Sequence, residues 1–85
     1  MKYKSIKVYK STFCRDCFMA AQFFEENNIN ISETINIDED EYAAAEVISI
    51  NNGYRSVPTI VIQSEDDKQI ILVEPSWQEL TETFK

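Results

Sequence analysis

The chain has 85 residues, 44% hydrophobic and 12% aromatic, which suits one small domain with a modest core. A formal net charge of −7 argues against nucleic-acid binding, because neutralising phosphates takes clustered Lys and Arg. No apolar run is long enough to span a bilayer, and the opening MKYKSIKVYK lacks the apolar centre of a secretory signal, so a cytoplasmic location is expected.

Taken in chain order, residues 4–10 place Ile6 and Val8 on one face, the pattern of a strand. Residues 11–13 make a short loop. Residues 15 to about 27 read as a helix rich in good formers such as Ala20, Ala21, Gln22 and Glu25. Ala20 and Phe24 lie one turn apart on its expected buried face, with Met19 and Phe23 in a neighbouring row. Asn27-Asn28 stops it. Residues 31–37 form a second strand, with Ile31, Ile35 and Ile37 in phase and Glu33 breaking the pattern. Asp38 then offers an N-cap, and Glu41 completes a capping box for a helix from 39 to about 50. That helix carries Ala44, Val47 and Ile48 on one face, and Asn51-Asn52-Gly53 ends it.

Residues 59–62 and 70–73 are continuous apolar runs, read as strands covered on both faces. The polar stretch 64–68 is the hairpin loop between them. Ser76 and Glu79 form another capping box, followed by an apolar stripe of Trp77, Leu80 and Phe84. The order is β-α-β-α-β-β-α over a single domain, residues 1–85. The first strands, separated by helices, should be parallel, and the last two should form an antiparallel hairpin. The expected class is α/β, a four-stranded mixed sheet flanked by helices.

The chemistry concentrates in Cys14-Arg15-Asp16-Cys17, which holds both cysteines of the chain. As a staple the pair is weak. So small a loop contributes only about 2 kcal/mol, against about 3 for a 15-residue loop. As a closed zinc site it is incomplete, since four ligands are needed and the chain has no His. A working redox pair fits best. Cys14 falls at the N-terminal edge of a helix, where unpaired amides and the helix dipole favour a thiolate. Arg15 adds positive charge and Asp16 opposes it. Cys17, one turn on, is expected to be less exposed and to keep the higher pKa. The Cys14 thiolate would attack a target disulfide, and Cys17 would resolve the mixed disulfide. A docking module without catalysis and a metal or iron–sulfur cluster shared by two subunits stay open as other readings.

A second motif is Gly53-Tyr54-Arg55-Ser56-Val57-Pro58-Thr59-Ile60, where Pro58 stands just before a strand. A Cys-x-x-Cys after the first strand and Val-Pro-Thr-Ile before the third resemble the glutaredoxin family of the thioredoxin fold, from Ile6 to Phe84. The resemblance implies a minimal thioredoxin fold and a cis Val57–Pro58 bond in a loop facing the cysteines. It also implies that the Val57 backbone pairs with a bound thiol or peptide as a short β-augmentation. The segment 43–58, with 73–76, is similar to mycoredoxin-type bacterial glutaredoxins. Gly-Tyr-Arg-x-Val-Pro also resembles the small redoxins that serve ribonucleotide reductase and draw electrons from thioredoxin reductase.

Two features depart from the glutathione-binding members. Those carry Cys-Pro-Tyr-Cys, and a Gly pair where this chain has Glu74-Pro75-Ser76-Trp77. By this resemblance Cys14 and Cys17 are catalytic, and Phe13, Arg15, Arg55, Val57, Pro58, Ser76 and Trp77 bind the thiol or target. No resident metal is implied. The electron source is a low-molecular-weight thiol or thioredoxin reductase with NADPH. The partners are disulfide-containing proteins, ribonucleotide reductase among them, met by a monomer. Lys10 and Arg55 are candidates for a thiol's carboxylate. Phe13, Phe18, Phe23, Phe24 and Trp77 are expected to pack in the core or at its rim. Tyr54 either lines the groove or caps the preceding helix.

Overall fold

The computed structural model describes residues 2–85. Strand β1 (Tyr3–Lys10) is built to be covered on both sides. Successive side chains of a strand point to opposite faces. Ile6 and Val8 therefore enter one apolar cluster while Tyr9 enters another. On the first face lie α1 (Arg15–Glu26) and α3 (Trp77–Phe84), which contribute Ala20, Phe23, Phe24 and Leu80. On the second lies α2 (Glu41–Ile50), whose Ala43 and Val47 pack with Tyr9 and Ile37. The Tyr9 hydroxyl, at the end of a buried ring, donates to the Glu46 carboxylate at 2.7 Å.

The sheet order is β2-β1-β3-β4, with β2 (Glu33–Asn36), β3 (Thr59–Ser64) and β4 (Gln69–Val73). β2 runs parallel to β1, and β3 and β4 form the antiparallel hairpin. The expectation of parallel strands fails for β3, which is antiparallel to β1, with Tyr9 opposite Thr59 and Ile6 opposite Ile62. A helix between two strands does not fix their relative direction; the loop after it does. Here residues 52–58 carry the chain to the end of the sheet where β1 leaves off. Gly53 sits in that loop at φ 101°, a conformation that suits glycine.

Other boundaries shift for local reasons. β2 begins at Glu33, so Ile31 lies outside it and packs partly buried against the first core. The N-cap of α2 is Asp40, whose Oδ1 accepts from the amides of Tyr42 and Ala43 at 3.0 Å, and the expected Asp38–Glu41 box is absent. Asp38 is engaged elsewhere, as described below. Ile48 is exposed, so the buried stripe of α2 runs through Ala43 and Val47. β4 is an edge strand, and only Ile70 and Leu72 pack on the core. Ile71 and Val73 are each 41% exposed, and Ile71 lines an open groove between β4 and the Glu46 and Ile50 side of α2, so β4 is not covered on both faces. The Ser76–Glu79 capping box on α3 forms as expected.

An aromatic cluster joins α1 to α3. Phe23 meets Phe24 and Trp77 edge-on, at centroid distances of 5.8 and 5.1 Å, and Phe84 meets Phe24 edge-on at 5.3 Å. Phe23→Ala should cost about 3–5 kcal/mol by urea unfolding, the range for deleting a buried aromatic ring. A loss below about 1 kcal/mol would mean that this cluster is not what fastens the two helices.

Candidate functional site

The turn into α1 carries Cys14 as the N-cap. Its backbone is extended, at φ −140° and ψ 104°, and its Sγ accepts the Cys17 amide at 3.1 Å. The chain is in its oxidised form, with Cys14 and Cys17 joined by a disulfide across a Cα separation of 5.2 Å. Cys14 is half-buried, whereas Cys17 is only 6% exposed. The outer sulfur is thus the one a partner reaches first. On reduction, the same amide and the dipole of α1 favour negative charge on Cys14.

The second loop comes from the far half of the chain. The Val57–Pro58 peptide is cis, and the Val57 carbonyl oxygen lies 3.8 Å from the Cys14 sulfur. Pro58 is buried, and its carbonyl accepts the Glu74 amide at 2.9 Å. That bond ties the loop to the approach to α3. Ser76 there spends its hydroxyl on the Glu79 amide, and the Trp77 ring is held against Phe23.

Asp38 fastens the two loops together. Its Oδ2 accepts the Thr12 amide and its Oδ1 accepts from Arg55 Nη2, both at 2.8 Å. Asn36 braces the joint by donating to Thr12 Oγ1 at 3.1 Å and accepting the Asp38 amide at 2.9 Å. The Thr12 amide first, and then the Arg55 guanidinium, hold the Asp38 carboxyl below its usual range. Arg55 therefore sits on Asp38, and its side chain is the strut between loops. Sequence reasoning gave Asp38 to the helix cap. The signal that would have found it is its place after β2, since parallel strands end on the same side and this one ends beside the cysteine loop.

The remaining residues separate clearly. Phe13 is 97% exposed, and Phe18 62%, so neither packs in the core or its rim. Phe13 lies in the loop before Cys14, and Phe18, though exposed, lines the cavity beside the disulfide. The Lys10 ammonium lies 5.8 Å from the Phe18 ring centroid. Arg15 is exposed, and among the described residues it makes no ion pair. The Tyr54 side chain is exposed, and only its backbone joins the end of α2, donating to the Asn51 carbonyl at 3.3 Å beside the bonds from the Asn51 and Gly53 amides. Beside the disulfide lies a small apolar cavity that the sequence did not announce. Among the described residues, no three His, Cys, Asp or Glu side chains gather closely enough to hold a metal.

The depressed Asp38 carboxyl gives a pH signature. Its stabilising bonds are fully present above the unfolded value of 3.8 and are lost as pH falls through the lower folded value. Asp38→Asn should lower the urea midpoint at pH 6, and the gap from wild type should close as the pH falls below 3.8. A gap that does not vary with pH would mean that the carboxylate does not clamp the loops.

Comparison with known proteins agrees with this geometry. The family model described as Glutaredoxin matches residues 6–66. No curated relative matches the chain. The glutaredoxin (grx-1) from Archaeoglobus fulgidus is 26% identical, with a TM-score of 0.68 over 92% of this chain and 83% of that one. The thioredoxin-like protein BC3987 is 24% identical, with a TM-score of 0.69 over 92% of this chain and 97% of that one, a likeness of fold alone. A point mutant of BC3987 superposes with a TM-score of 0.72 at 23% identity, over 95% of this chain and all of that one. With the family matched over most of its length and a Cys-x-x-Cys pair in place, the chain belongs to the glutaredoxin family.

Proposed function

We propose that this protein is a dithiol–disulfide oxidoreductase that reduces protein disulfides or mixed disulfides. The observation that carries this is the Cys14–Cys17 disulfide itself. It sits at a helix N-terminus, with the outer sulfur against the Val57 carbonyl beside a cis proline. In the reduced protein the Cys14 thiolate attacks one sulfur of a target disulfide. A bond from Cys14 to the target forms, the target S–S bond breaks, and the leaving thiolate takes a proton. Cys17, as thiolate, then attacks Cys14 Sγ and expels the second target sulfur, which is protonated in turn. The target gains two electrons and two protons, and the protein closes its disulfide.

Each flanking residue has a part. The Val57 backbone beside Pro58 pairs with the extended target. Phe13 and Arg15 border the exposed side of Cys14, and Ser76 and Trp77 border the far side of the Pro58 loop. Arg55 holds that loop through Asp38. The cycle is closed by a low-molecular-weight thiol or by thioredoxin reductase with NADPH, and the protein works as a cytoplasmic monomer on targets such as ribonucleotide reductase. No helix among the described residues is long and apolar enough to cross a membrane.

The test combines two variants and one donor assay. Cys14→Ser should drop disulfide reduction to the uncatalysed rate. Cys17→Ser should accumulate mixed disulfides, visible as a mass adduct that dithiothreitol removes. A Cys14→Ser protein that reduces disulfides at the wild-type rate would sink the mechanism. NADPH consumption by the oxidised protein with thioredoxin reductase alone assigns the donor to that enzyme; consumption only after a small thiol is added assigns it to the thiol.

A further inference from the structure

The cavity beside the disulfide has about 120 Å³ of free volume. It is lined by Val8, Phe24, Ala21 and Ile31 together with Cys14 and Cys17. Among the described residues its lining includes none from loop 53–58 or from 74–77, so it opens on the β2 side of the sulfurs, away from Val57 and Pro58. Lys10 stands at its edge and, among the described residues, makes no ion pair.

Resting on the redox reading above, we propose that this cavity receives an apolar side chain next to the reacting cysteine of a protein target, and that a carboxylate of the same target meets Lys10. Size fits such a side chain. A dry apolar cavity of ~150 Å³ holds a benzene molecule, so this one holds a branched aliphatic group. Position fits a polypeptide. A target that pairs with the Val57 backbone on one side of the sulfurs and fills the cavity on the other must be a chain with residues on both sides of its cysteine. The exposed Phe13 and Phe18 widen the apolar face beyond what a small thiol covers. Charge fits as well, since Lys10, set over the Phe18 ring and without an ion pair among the described residues, is a cation at the edge of an apolar hole in a chain of net charge −7.

The test uses reduced protein freed of reductant and symmetric disulfide dimers of a short peptide with one cysteine. One peptide has Leu on each side of the cysteine; the other has Ser at both places. Released peptide thiol is followed at single turnover. Wild type should reduce the Leu peptide about tenfold faster, the discrimination that burying one such side chain supplies. Ala21→Leu, which fills the cavity from an exposed helix position with a good helix former, should bring that ratio close to one. A general disturbance of the protein slows both peptides and leaves the ratio unchanged, and an unchanged ratio overturns the proposal.

A second variant, Lys10→Glu, reads the charge. Wild type should favour an Asp-flanked Leu peptide over a Lys-flanked one, and the variant should reverse that order; no reversal overturns the proposal. A wild-type ratio near one for Leu against Ser also overturns it, while reduction of bis(2-hydroxyethyl) disulfide by the same sample keeps the redox reading standing. A sample that reduces none of these disulfides overturns both.

Discussion

The pairing of Tyr9 with Thr59 is the constraint on which the site depends. β1 leaves the sheet and turns into the cysteine loop. β3 enters the sheet directly opposite, straight from Val57 and Pro58. Two segments more than forty residues apart are thereby held to one end of the sheet by ladder hydrogen bonds. The helix that follows Cys14 then supplies the amide that faces its sulfur. Neither loop needs to be rigid by itself, because both start from the same pair of strands and Asp38 closes the gap between them.

Below this end the sheet divides its work. One face, under α1 and α3, carries most of the fully buried apolar residues and the aromatic cluster. The other is covered by α2 alone, and its cluster is smaller. A fully buried aliphatic or aromatic side chain stabilises by about 1.5–3 kcal/mol, so each core position is a large share of the 5–15 kcal/mol total of a typical domain. The redox pair sits on the strongly packed side. α1 therefore both caps Cys14 and presses Phe23 and Phe24 into the core, and the sulfur geometry rides on the best-anchored helix of the molecule.

Much of this was legible in the chain. Local signals announced α1, the Ser76–Glu79 box and the order of elements along the chain, because caps, helix formers and apolar periodicity act over a few residues. The resemblance supplied the cis bond and the facing of Val57 toward Cys14. What escaped was set by distant partners. Asp38 looks like a cap, with Glu41 three residues on, but Thr12 and Arg55 compete for its oxygens and Asp40 serves the helix instead. The run Ile70 to Val73 reads as doubly buried, yet burial on the second face depends on how far α2 reaches. Phe13 and Phe18 are apolar by composition, and only the turn at Cys14 reveals that they face outward. The direction of β3 was hidden in the length of the loop before it.

The exposed side of β4 bears on how copies of this chain meet each other. An edge strand offers unpaired backbone groups to any second strand, and here Ile71 and Val73 add apolar surface beside them. The strand has only five residues, and its ends carry Asp66, Asp67 and Lys68 on one side and Glu74 on the other. Two such edges approaching in register bring charged ends together while two chains of net charge −7 repel. The acidic surface thus has a colloidal task as well as a solvating one. That guard works over a Debye length, about 8 Å at physiological ionic strength and about 3 Å at 1 M. Concentrated salt therefore strips away the long-range part and leaves only the shortness of the strand to keep its edge unpaired.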